Sequence, residues 1–389
     1  MERFFVRGAA LIDGTGDSPL PGGMMVIEDG KIAETGTQFS TGDAEVVDLS
    51  DCHILPGLVD SHTHLSIVPA LGNQSKQLTR PPGVKILNSI PNIQRQMESG
   101  VTTMRIMGEE DYIDIDFKNA IDGGVIPGPR LSVSAVYLTA SNGHSVAKTT
   151  TDTEYEVRKR LRKNFGMGAD FGKMFITGGN STARPAVDFC AYTRQEIAAA
   201  VEECSRMGTY LAVHAHGGPG VDICIEEGVR TVEHGAILTK DQIDRMKDKG
   251  MWVVNNYAIL FHPSGLEQTD FSDPIIREKC LKGRKIRRDT FQMIRDSGVS
   301  YAIGTDSMHG MMPFEMQCLV DFGASNMEAI VAATAGGARV CMMDKLVGTL
   351  QPGKFADFIA VKGDPLADIK AMNNVVLVCK AGEILVDKR

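Results

Sequence analysis

The chain has 389 residues, of which 43% are hydrophobic and 23% charged, a balance that excludes a disordered or fibrous protein and leaves room for one large α/β domain with an appended module. Lys and Arg number 41 against 49 Asp and Glu, a formal charge of -8, and without an extended basic run this excludes nucleic acid as an expected partner. No segment reaches the roughly 18 apolar residues that a membrane span needs, and Met1-Glu2-Arg3-Phe4 opens no basic region followed by an apolar stretch, so a cytoplasmic protein is expected.

Taken in chain order, the first fifty residues hold short β-rich runs at 4–12, 24–28 and 31–34 with a turn at Asp29-Gly30, which predict a small sheet. Eight apolar β-type runs follow, at 55–61, 101–107, 130–135, 172–176, 210–213, 231–233, 251–254 and 300–304, each separated from the next by longer intervening segments. Strands alternating with helical patterns predict βα units around a parallel sheet, and eight is the number a closed barrel needs.

The helical signals are concrete. Thr193-Arg194-Gln195-Glu196 reads as a capping box before Ile197, Ala200, Val201 and Cys204, with Gly208 as the stop. A long helical pattern over 274–297 carries Lys282, Arg284, Lys285, Arg287 and Arg288, read as a solvated outer face. Beyond 344 the β character returns, at 356–361 and 375–379. The expected fold is therefore α/β: a (β/α)8 TIM barrel over 55–344, with a small β-sandwich-like module built from 1–54 and 345–389. The eight cysteines form no C-x-x-C pair and read as reduced, buried thiols.

The first barrel strand ends in His62-Thr63-His64, and because strand side chains alternate, the two imidazoles point the same way. His214, His234 and Asp306 each fall at the C-terminal end of a later candidate strand, and in a barrel those ends face one another. Neutral imidazole with a carboxylate suits zinc and similar ions. Lys173 lies in the apolar run Phe171-Gly172-Lys173-Met174-Phe175, where an unpaired ammonium is costly. His144, His216 and His309 lie where a substrate could reach them, with hydrogen bonding to a supporting group as the competing role.

These motifs resemble the amidohydrolase superfamily, and through Gly128-Pro129-Arg130, Asn142-Gly143-His144, Val213-His214-Ala215-His216-Gly217 and Val232-Glu233-His234-Gly235 they look like its prolidase-like carboxypeptidase and ochratoxin-hydrolysing branch. The segment 348–357 is similar to the superfamily's return into its β-module. The resemblance implies two divalent metal ions: His62, His64 and Asp306 hold one, His214 and His234 hold the other. Lys173, carboxylated by carbon dioxide, bridges them together with a hydroxide. Asp306 then takes the attacking proton and passes it to the leaving amine, while His144 and His216 face the substrate. The chain departs from the branch at His216, where relatives often carry tyrosine, and at Met104-Arg105-Ile106-Met107, where Arg-Asp is common.

The expected activity is hydrolysis of an amide, peptide or N-acyl bond in a small carboxylate-bearing molecule, with a homo-oligomer left open. The alternatives are hydrolysis of a cyclic amide, carbamate, urea or ester; a one-metal deaminase, against which Lys173 argues; and a non-enzymatic scaffold, against which the full ligand set argues.

Overall fold

Alternation along Arg3–Leu11 sends Phe4 and Val6 to one face and Phe5 to the other, and each face packs its own apolar cluster. This strand is the middle of an eight-stranded sheet that joins the two ends of the chain: Arg3–Leu11 pairs parallel with Glu45–Pro56, and Glu45–Pro56 pairs antiparallel with Phe358–Lys362. The computed structural model describes residues 3–389; Met1 and Glu2, where the reading of the N-terminus and of the 1–54 segment starts, lie outside the described residues.

All eight sequence-predicted strands of the central region are present and parallel to their neighbours: β1 (Leu58–Thr63), β2 (Val101–Ile106), β3 (Arg130–Val133), β4 (Gly172–Phe175), β5 (Leu211–Ala215), β6 (Thr231–His234), β7 (Trp252–Asn255) and β8 (Ser300–Ile303). The ladders run β1-β2-β3 and β4-β5-β6-β7-β8. Beyond β3, Leu138 exchanges backbone hydrogen bonds of 2.9 Å with Lys173 and Phe175, both within β4. On the other side, the N–H of Asp306, just past β8, donates to the carbonyl of His62 at 2.8 Å. The approach there is tight, since a Cβ on Gly304 would fall 2.3 Å from the His62 nitrogen.

The first candidate strand, 55–61, needs correction. Leu55 and Pro56 belong to the terminal sheet, opposite Ile359 and Phe358, and the chain crosses to β1 at Gly57, where a Cβ would meet Thr102 Oγ1 at 2.1 Å. The strand Glu45–Pro56 itself escaped the sequence reading because Glu45, Asp48 and Asp51, poor strand formers, interrupt its apolar residues.

Thr193 caps the helix Arg194–Arg206 through a capping box with Glu196, and Gly208 follows in the left-handed region at φ 69°. In the helix Pro274–Ser297 the buried face runs Ile276, Cys280, Gly283, Arg287, Thr290, Phe291 and Ile294. Arg287 is only 3% exposed, so it does not share the solvated face assigned to it with Lys282, Lys285 and Arg288. All eight cysteines are free thiols, seven of them buried. Among the described residues no helix is long and apolar enough to cross a membrane.

Candidate active site

β1 presents His62 and His64 from buried positions. The Nδ1 of His62 lies 2.7 Å from Oε2 of Glu233 on β6, and the Arg105 guanidinium on β2 donates to both Glu233 oxygens at 2.8 and 2.7 Å. Burial alone would raise the Glu233 carboxyl, but the Arg105 charge and the His62 hydrogen bond hold it down at about 2. An ionised carboxylate can only accept, so the His62 proton sits on Nδ1 and the Nε2 lone pair faces outward.

The same logic fixes His64, whose Nδ1 donates to the Gly108 carbonyl at 2.9 Å. Burial lowers its pKa to about 4, leaving a neutral imidazole with Nε2 free. Asp306 completes this half: its Oδ1 lies 3.4 Å from His62 Nε2, and ligand atoms of His62, His64 and Asp306 all fall within 4.8 Å of one another. Although burial opposes it, the nearby Lys173 charge helps pull the Asp306 carboxyl well below the ordinary range.

His214 on β5 and His234 on β6 form the other half, with ring centroids 4.6 Å apart and His234 4.9 Å from His62. Burial and the neighbouring imidazoles push both well below the usual histidine range, which keeps them neutral. His214 Nε2 rests 3.2 Å from the Gly178 carbonyl. His234 and Asp306 hold left-handed backbone, at φ 74° and 45°, a strain that surroundings must impose and that gathers at functional sites.

Lys173 on β4 is 1% exposed, and its Nζ has no hydrogen-bond partner. It lies over the Phe175 ring, 4.8 Å from the centroid, and burial lowers its pKa to about 8. Its charge is felt by His64, His214, Glu233 and Asp306, which places the amine among the two halves.

One cavity is lined by His62, His64, His214, His234 and Asp306 together with His144 and His216. His144 stacks on His214 at 4.5 Å and its Nδ1 contacts Thr182 Oγ1 at 2.7 Å; burial drops its pKa to about 3. His216 stacks on His234 at 5.2 Å, and neither ring nitrogen has a partner. His309 is not brought to this lining: it faces a separate depression beside Arg95, Glu98 and Gly310. Asp306, Ser307 and Gly310 all take positive φ, and these bends carry the chain away from the cavity.

Arg105, Glu233 and Arg287 are the site residues that sequence reasoning missed as participants. A charge inside an apolar strand was the signal that singled out Lys173, and it applies equally to Arg105 and Glu233, which answer one another. Arg287 also lines the cavity.

A sequence profile of the Amidohydrolase family matches residues 53–385. The chain belongs to this family. The amidohydrolase is 25% identical to ochratoxinase of Aspergillus niger over 419 residues, covering 97% of this chain and 86% of the relative. It is 26% identical to imidazolonepropionase of Salinispora arenicola over 370 residues, covering 89% and 88%. Among solved structures it resembles a Xaa-Pro dipeptidase with methionine bound in the active site, at TM-score 0.90 and 27% identity over 99% of this chain and 100% of that one. It also resembles the A. niger ochratoxinase structure, at TM-score 0.87 and 24% identity over 100% and 96%. It is accordingly a hydrolase that acts on carbon–nitrogen bonds in small molecules.

Metal binding is general in the family, and the residues present fit it: neutral imidazoles oriented by Nδ1 hydrogen bonds, an ionised carboxylate, and a buried amine with no partner.

Proposed function

We propose that this amidohydrolase cleaves an amide, peptide or N-acyl bond of a small carboxylate-bearing molecule at a two-metal centre. His62, His64 and Asp306 would hold one ion and His214 and His234 the other, with carboxylated Lys173 shared; the imidazole-rich donor set favours zinc. The observation that carries this reading is the partnerless Nζ of Lys173, buried among oriented histidines and Asp306. As a neutral amine it can add to carbon dioxide, forming an N–C bond and releasing one proton to solvent, and the resulting anion would have bound cations as its partners where an ammonium would be repelled by them.

Bound ions of this kind polarise a carbonyl and make water acidic enough to attack at neutral pH. The protein supplies the rest. Asp306 is held ionised, so it can accept the proton of the attacking water and deliver it to the leaving nitrogen. Glu233, fixed by Arg105, locks the tautomer of His62. His144 and His216, neutral and facing the cavity, contact the substrate. His309, outside the lining, is given no substrate contact.

The fold reading belongs to the same proposal. The hydrogen bonds from Leu138 to β4 and from Asp306 to β1 support closure of the eight parallel strands into a (β/α)8 barrel over 57–344. The sheet shared by both chain ends supports a separate sandwich-like module built from the residues up to 56 and from 345–389. The methionine in the related Xaa-Pro dipeptidase structure supports an amino-acid moiety in the substrate, and eight free thiols support a reducing, cytoplasmic setting.

The test is a screen of N-acyl amino acids and dipeptides with metal analysis of the same preparation. Metal-dependent release of an amino acid is expected; turnover confined to esters, or none on any amide, would contradict the proposal.

A further inference from the structure

Two cationic side chains come close to the cavity from the helix Pro274–Ser297, and their hydrogen bonding separates them. Lys279 spends its ammonium on three carbonyls, those of Gly179, Thr182 and Pro185, at 3.1, 2.8 and 2.6 Å. An ammonium has three donors, so none remains for a ligand. Arg287 is different. Its Nη1 donates to the Asn256 carbonyl at 2.8 Å, its buried Nε has no partner, and it makes no ion pair among the described residues. A guanidinium carries five N–H donors, and this one lines the cavity.

A buried guanidinium without a counter-ion is expensive, since desolvation costs several kcal/mol per ion and only a close anion offsets it. The buried acid Glu315 does not serve: both its oxygens accept backbone N–H groups, of Tyr257 and Ala258, at 2.7 Å, and burial pushes this carboxyl well above its usual range. Tyr257 offers only its ring face, 6.0 Å away. Asp306 forms no ion pair with it among the described residues; its Oδ1 lies 3.4 Å from His62 Nε2 instead.

The position is also informative. Arg287 lines the same cavity as His216, whose two ring nitrogens are likewise without partners. Two buried, unsatisfied polar side chains lining one cavity make a receptor for something anionic and planar. A guanidinium fork matches a carboxylate in two parallel hydrogen bonds.

We propose that Arg287 receives the substrate carboxylate and sets the selectivity of the site for amino-acid-type substrates over their neutral analogues. This rests on the amide-hydrolysis reading for the identity of the reaction, but the receptor itself can be tested without turnover.

The probes are L-methionine and L-methioninol, which differ in the carboxylate and contain no amide to cleave, titrated calorimetrically into the metal-containing enzyme and its Arg287→Gln variant. The wild type is expected to favour methionine by about 100-fold, the scale for a buried charge pair, and the variant to bind both within a few-fold at unchanged metal content. Arg287→Lys, which keeps the charge and loses the fork, is expected to keep part of the preference, reduced about 10-fold; it serves as the deciding variant if Arg287→Gln does not melt cooperatively. Absence of preference in the wild type, or full preference in the variants, overturns the proposal. The two readings fail separately. Loss of preference in Arg287→Gln with no hydrolysis of any N-acyl amino acid sinks the activity and keeps the receptor, and hydrolysis with preference intact in the variant does the reverse.

Discussion

His62 and Glu233 are joined by a 2.7 Å contact between Nδ1 and Oε2, and through it a buried Arg105–Glu233 ion pair decides which nitrogen of His62 is free. The carboxylate is positioned from β6, the guanidinium from β2 and the imidazole from β1, so three strands must pack correctly before the proposed metal ligand His62 points the right way.

Replacing Glu233 with Gln tests this arrangement twice. Metal affinity should fall by about 10- to 100-fold, because the group orienting a ligand has lost its charge. Stability should fall by about 3–5 kcal/mol, because Arg105 is left as an unpaired buried charge. The sign with pH follows from the depressed carboxyl: with its folded pKa at about 2, below the ordinary 4.5, the stabilisation is present above 4.5 and fades as pH falls from there towards 2. Urea unfolding of metal-free wild type and variant should therefore differ most at neutral pH and converge in acid.

Asp306→Asn keeps the shape of the side chain and removes the base. We expect kcat to drop by about 10²- to 10⁴-fold, the usual worth of a positioned proton carrier, with a much smaller change in KM. A steady-state comparison on one N-acyl amino acid suffices, and a loss confined to KM would argue for a binding role alone.

Gly304→Ala probes the meeting of β8 with β1. The new Cβ would sit 2.3 Å from the backbone nitrogen of His62 and 2.8 Å from the Asp60 carboxylate. Backbone cannot yield as a side-chain tip can, so a loss of about 1–3 kcal/mol or more is expected. Thermal unfolding measures it, and an unchanged midpoint would show that the strands do not meet as described.

For Lys173→Met the expectation has opposite signs in the two states. Without metal, exchanging a partnerless buried amine for an apolar chain of similar length should leave stability unchanged or raised. With metal, the stabilisation gained on binding should shrink. Melting curves with and without zinc separate the two.

Much of this architecture could be read from strand periodicity, and the places where it could not are physically specific. Apolar runs located all eight parallel strands, and ligand types placed one or two residues beyond such runs marked His214, His234 and Asp306, because strand ends are where a parallel sheet exposes side chains. Local pattern does not encode how far a chain travels after the strand: Asp306, Ser307 and Gly310 bend it through left-handed backbone, and His309 ends up facing another depression. Arg287 was hidden by its neighbours. Within a run of cations, only the phase set by Cys280, Gly283 and Phe291 shows that one of them turns inward. Glu45–Pro56 was obscured in a similar way, by the exposed acids Glu45, Asp48 and Asp51 that interrupt its apolar residues.

The most direct test of the two-metal claim is metal content per chain after reconstitution with zinc and bicarbonate, measured side by side for the wild type and Lys173→Ala. The account predicts about two ions per wild-type chain, as a shared-ligand centre requires, and a fall to about one or fewer in the variant with loss of turnover. Two ions and normal turnover retained in Lys173→Ala would contradict it.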